Sequence, residues 1–210
     1  STFPSLHSGK VYMTVGIIIL ITYGNLRGVK EAGKSFAMPT YLFIGAMAVV
    51  FITGLYRAFT GDLPVLSTAV PGTYPIGEAQ GLLTFSAIFI LLRAFANGGS
   101  SLTGLEAISD GVALFKVPEA RNARRTLVIM SSILGTLVLG VSWFAQRIHA
   151  MPYEGGTPTV ISQIAKEALG SSASGKIFFI FVQTATMLIL FAGANTTYSA
   201  FPILCNFVAT

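Results

Sequence analysis

Charge is scarce in this 210-residue sequence: only 10% of its residues are Asp, Glu, Lys or Arg, against roughly 25% in an average soluble domain. With 53% hydrophobic residues as well, water is not its main solvent. It has a single cysteine, Cys205, which excludes an internal disulfide and any multi-cysteine metal site and leaves the redox compartment undetermined. No basic, short apolar and small-residue pattern opens it, so no cleaved signal peptide is expected. There is no nucleophile beside a base, no metal-spaced cluster and no phosphate-cradling glycine loop. Enzyme activity and a cofactor are therefore not expected. The chain starts at Ser1 without Met and ends at Thr210 without a polar tail, so it reads as a fragment.

What the sequence has is long apolar runs. A membrane-crossing helix needs about 20 apolar residues, because the hydrocarbon core is about 30 Å thick and a helix rises about 1.5 Å per residue. The stretches 11–26, 36–59, 126–144 and 177–194 read as spans, the first slightly short. Pro39 falls in the first turn of the second, where a missing amide is tolerated. A further stretch, 82–117, is apolar but interrupted near 97–104. The expectation is an all-α polytopic membrane domain over 1–210, with about five transmembrane helices, one of them broken.

The net charge of +5 sits in short loops between these runs, which points to topology rather than to nucleic acid. Loops 25–35 and 116–125 share one side and carry Arg27, Lys30, Lys34, Lys116, Arg121, Arg124 and Arg125. By the positive-inside rule that side is cytoplasmic. On the other side, Asp62 and Glu78 mark one loop, and the long loop 147–176 is nearly balanced. Within it Val160, Ile161, Ile164, Ala165, Ala168 and Leu169 recur at helical spacing. A short amphipathic helix is expected there, either a cap packed on the outer face or a gate. The stretch 64–75 is turn-rich linker. Trp143 and Tyr153 suit interfacial anchors, and His149 has no companion ligand.

The interruption is where chemistry is expected, since a helix broken at membrane depth must be buried in protein or line a watery cavity. Asn97-Gly98-Gly99-Ser100-Ser101 would present carbonyls at the end of one half-helix, and Thr103-Gly104 amides at the start of the next. Glu106 and Asp110 follow, four residues apart on one face, and a carboxylate pair there needs a proton or a nearby cation. Ser100, Ser101 and Thr103 add the oxygens that a hard cation prefers. The candidate binding residues are thus Gly99, Ser100, Ser101, Thr103, Glu106 and Asp110. Thr103-Gly104-Leu105-Glu106 equally fits a capping box that only satisfies a helix start, and Asp110 lies nearer the cytoplasmic end. Arg93 is expected to face the protein interior beside a carboxylate or carbonyl. Gln183, Thr184, Thr186, Asn195, Thr196 and Thr197 in the last span are expected to bond neighbouring helices.

Several stretches resemble the KimA-type potassium importers of the amino acid, polyamine and organocation (APC) superfamily. They are Asn25-Leu26-Arg27-Gly28-Val29-Lys30-Glu31-Ala32-Gly33-Lys34, Leu102-Thr103-Gly104-Leu105-Glu106-Ala107-Ile108-Ser109 and Pro118-Glu119-Ala120-Arg121-Asn122-Ala123. Pro158-Thr159-Val160-Ile161-Ser162-Gln163 and Ala194-Asn195-Thr196-Thr197-Tyr198 are similar too, so the likeness spans nearly the whole chain. The first and third are shared by the wider superfamily; the Thr-Gly-Leu-Glu stretch is more specific.

The resemblance implies a LeuT-like inverted-repeat fold of twelve spans, of which this chain would hold the fourth to the eighth. The family's broken helices are the first and sixth, so only the sixth would lie here, and this part alone is not expected to transport. The family couples potassium entry to protons, and Thr103 and Glu106 match residues of its monovalent-cation site. Its further ligands and its cyclic-dinucleotide-regulated cytoplasmic domain lie outside this chain. The expected partners are membrane lipid and a monovalent cation, with a homodimer an open option for the full-length protein and no nucleic acid. The competing functions are an amino acid permease of the same superfamily, whose glycine-rich break would bind substrate through backbone groups, and a non-transporting scaffold or receptor.

Overall fold

The computed structural model describes residues 9–26, 32–67, 72, 85–99, 112 and 115–209, and six helices form among them. They are α1 (Lys10–Leu26), α2 (Ala32–Thr60), α3 (Phe85–Gly99), α4 (Glu119–Ile148), α5 (Val160–Leu169) and α6 (Ala173–Ala209). Among the described residues three helices are long and apolar enough to cross a membrane, over Ala37–Thr60, Glu119–Ile148 and Ala173–Asn195. Val11–Tyr23 and Ala87–Gly99 are apolar but shorter. The chain divides into two compact units, one of Ser1–Gly72 with Phe144–Thr210 and one of Thr73–Trp143.

In the first unit α2 packs against α5 and α6, α5 packs against α6, and α1 lies on α6. Met47 and Val50 of α2, Ile164 of α5 and Val182 of α6 are fully buried, as is Ile148 at the end of α4. Close approach depends on a small residue. A Cβ added to Gly54 would meet Phe144 Cε1 at 2.6 Å and Ala168 Cβ at 3.0 Å, so the missing side chain lets α2 approach these groups closely. One turn earlier Phe51 stacks on the Phe144 ring, with centroids 5.5 Å apart. The opposite faces are apolar and bare: Tyr12, Leu20, Ile52, Ile177 and Leu190 are all exposed. Such surface suits hydrocarbon, where no water has to be ordered around it.

The second unit holds α3 and most of α4. Asn122 starts α4 firmly, its side-chain amide donating to the Lys116 carbonyl at 2.8 Å, while Glu119 in the first turn complements the helix dipole. Along the span the hydroxyls of Thr126, Ser132 and Thr136 donate to the carbonyls four residues earlier. This is how polar side chains are satisfied where there is no water.

Three boundaries differ from the sequence expectation. The helix α4 begins at Glu119, so Arg121, Arg124 and Arg125 stand on its first turns and not in a loop 116–125. The helix α2 begins at Ala32, which places Pro39 inside it and not in its first turn; the ring leaves the carbonyl four residues earlier, at position 35, without an amide. The helix of the last span continues well past 194, since α6 runs to Ala209, although the apolar span itself ends at Asn195. In each case hydropathy marked the apolar centre, whereas the backbone hydrogen-bond ladder continues through polar residues and proline that hydropathy excludes.

Candidate functional site

The expected break is described on one side. The helix α3 carries through Asn97 and Gly98 and ends at Gly99, so the first half-helix extends beyond the apolar stretch ending at 96. Among the described residues nothing lies within 4 Å of a Cβ built on Gly98 or Gly99, and both residues are exposed. The negative end of the α3 helix dipole lies at this terminus. Ser100, Ser101, Thr103, Glu106 and Asp110 lie outside the described residues. Arg93, expected to face inward, is exposed on α3.

A second polar centre is described in full, and it belongs to the first unit. The helix α5 starts at Thr159, whose hydroxyl accepts from the Ser162 amide at 3.2 Å, and closes at Gly170, whose positive φ of 73° suits glycine and whose N–H donates to the Lys166 carbonyl. Its buried face comprises Ser162, Gln163, Ile164, Ala165 and Ala168. The short helix is where the apolar spacing placed it, but two of its buried residues are polar. The Gln163 amide accepts from the Met151 N–H at 3.2 Å and donates to the carbonyls of Met151 at 2.7 Å and Pro158 at 3.2 Å. Ser162 accepts from Gln183 Nε2 of α6 at 2.6 Å.

At the other end of α5, Arg57 of α2 donates through Nη1 to the Glu167 carbonyl and through Nη2 to the Asp62 carbonyl at 2.9 Å. The short helix is therefore tied by side chains at three places: its preceding loop, its middle and its end. The linker is tied as well: the Leu66 N–H donates to the Ile148 carbonyl and the Glu154 N–H to the Gly72 carbonyl, each at 2.9 Å.

Of the polar residues expected to bridge helices in the last span, Gln183 does so. Thr184 and Thr186 instead donate to their own helix, at the carbonyls of Ile180 and Val182. A threonine hydroxyl reaches the carbonyl four residues back more readily than another helix. Asn195 is buried, and the side chains of Thr196 and Thr197 lie outside the described residues. Sequence reasoning missed Arg57, Ser162 and Gln163. Ser162 was detectable, because it stands three residues before Ala165 and so on the same helical face. Among the described residues no group of His, Cys, Asp or Glu is placed to hold a metal ion.

The family model described as amino acid permease matches residues 2–210. The chain belongs to that family. A curated relative, the potassium transporter KimA of Bacillus subtilis (strain 168), is 39% identical over 206 residues, which is 97% of this chain and 32% of the relative. The chain thus spans about a third of the length of the curated relative it matches. The permease family and this relative are transporters and not enzymes, in agreement with a sequence that carries no nucleophile–base arrangement. Apolar helices and permease membership together make this a membrane-embedded part of a permease-family protein.

Proposed function

We propose that the full-length protein is a secondary active importer of potassium, working as a proton symporter with a LeuT-like inverted-repeat fold of which this chain is the central part. The observation that carries the reading is the 39% identity to a potassium transporter, sustained over 97% of the chain. The ion is held where the sequence breaks after α3: Thr103 and Glu106 are its principal ligands, with Gly99, Ser100, Ser101 and Asp110 as further oxygens around it. The carbonyl end of α3 supports this, since helix C-termini attract cations. Glu106 also exchanges the coupling proton, a carboxylate in a low-dielectric site being readily protonated. The protein sits in the plasma membrane with 25–35 and 116–125 on the cytoplasmic side, a reading supported by Arg121, Arg124 and Arg125 clustering at the start of α4.

The test is potassium or rubidium uptake by the full-length protein carrying Glu106→Gln. Uptake falls and loses its pH dependence if Glu106 binds the ion or its proton; unchanged uptake with an unchanged pH profile would falsify the assignment. A second reading, amino acid transport, is favoured by the family description itself. Competition of rubidium uptake by a panel of amino acids separates the two, since only a permease site is emptied by them.

A further inference from the structure

Beside the tie between α2 and α5 lies a pocket of about 270 Å3, lined among others by Arg57, Lys166, Glu167, Gly170, Lys176 and Phe179. Its three cations come from three elements: the last turn of α2, the last turn of α5 and the start of α6. Both amino nitrogens of Arg57 donate to backbone carbonyls, which fixes the guanidinium in place without neutralising its charge. Gly170 admits it: a Cβ there would come within 3.1 Å of Nη1. Against three positive groups the lining, among the described residues, has one carboxylate, Glu167, so a positive excess remains there.

The position of the pocket along the spans selects its ligand. Arg57 lies three residues before the end of the apolar span at Thr60, and Lys176 three residues into the span that starts at Ala173. Immediately after Lys176 come Ile177 and Phe178, both exposed. The pocket therefore sits where hydrocarbon gives way to headgroups, and its lining joins three cations to apolar Phe179. Its volume is close to the lower end of small-ligand pockets, about 300 Å3, which suits a headgroup better than a whole lipid.

We propose that this pocket binds the phosphodiester of an anionic phospholipid, whose acyl chains run along the exposed apolar face of α6. A free phosphate would gain the charge attraction but not the apolar contact. Each lysine adds about fivefold to the affinity, the amount expected for a basic side chain near an anionic lipid surface.

The test uses the full-length protein in phosphatidylcholine nanodiscs with increasing phosphatidylglycerol, read by thermal stability and by the phosphatidylglycerol retained per protein. The wild type is stabilised by phosphatidylglycerol. Lys166→Gln/Lys176→Gln needs on the order of 25-fold more of it for the same effect, and Lys166→Arg/Lys176→Arg keeps the wild-type response. Both lysines are exposed, so stability in pure phosphatidylcholine stays unchanged; should the double variant fold poorly, Lys166→Gln alone carries the test with a fivefold loss. An undiminished response in the glutamine variants overturns the site. Equal stabilisation by millimolar inorganic phosphate overturns the lipid assignment in favour of a soluble anion.

Discussion

Gln183 of α6 donates its amide to the hydroxyl of Ser162 on α5 at 2.6 Å, a cross-helix bond that fixes the short helix on a membrane-spanning one. Ser162 is buried and Gln183 half-buried, so the bond is partly shielded from competing water. Polar contacts of this kind in membrane bundles contribute about 0.6 kcal/mol on average and up to about 1.7.

Replacing Gln183 by Leu removes the donor and leaves the Ser162 hydroxyl without it. The expected loss in folding stability is about 1 kcal/mol. Ser162→Ala in the Gln183→Leu background then costs little more, and a double-mutant cycle on thermal stability in detergent measures the coupling. Additive losses would mean that the contact contributes nothing.

Gln163 is the more demanding position, because its amide both accepts from and donates to Met151. Gln163→Leu strands the buried N–H and carbonyl of Met151, a cost of about 2–6 kcal/mol at about 1–3 for each group. Gln163→Glu keeps the shape but loses the donors, so it is also destabilising, and no single-function substitute restores the wild type. Hydrogen exchange at the Met151 amide should quicken in both variants.

Gly54 is constrained by distance. In Gly54→Ala the new methyl meets the Phe144 ring and Ala168, and overpacking of this sort costs about 1–3 kcal/mol. Because the nearest atoms belong to a side chain, Phe144→Leu should recover part of the loss in the same thermal assay. Gly175→Ala has no such remedy, since its methyl would meet the backbone carbonyls of Leu169 and Gly170.

Arg57→Lys keeps the charge but cannot reach two carbonyls in a fork. Lost closure of α5 should lower thermal stability by about 1–2 kcal/mol, and Arg57→Met by more. Faster proteolysis within 160–170 in the full-length protein checks that the loss is local; equal cleavage rates would count against the tie.

The membrane helices were legible because hydropathy is written residue by residue: the apolar centres of α1, α2, α4 and α6 and the spacing of α5 were all recognisable. Their ends were not, since Ala32 to Ser35 and Glu119 to Arg125 are helical by backbone bonding and polar by composition. Arg57 was unreadable for another reason. Its partner carbonyl, at Glu167, is 110 residues away, and a backbone carbonyl leaves no mark in a sequence.

By itself, then, the sequence determined the solvent of this protein and the centres of its helices, since each follows from side-chain transfer energies added over a short window. Only the tertiary structure decided which polar groups meet: Gln183 with Ser162, Gln163 with Met151, Arg57 with the end of α5. Hydrogen bonds depend on tenths of an ångström and on direction, and both are set by how the helices pack rather than by the composition of any one of them.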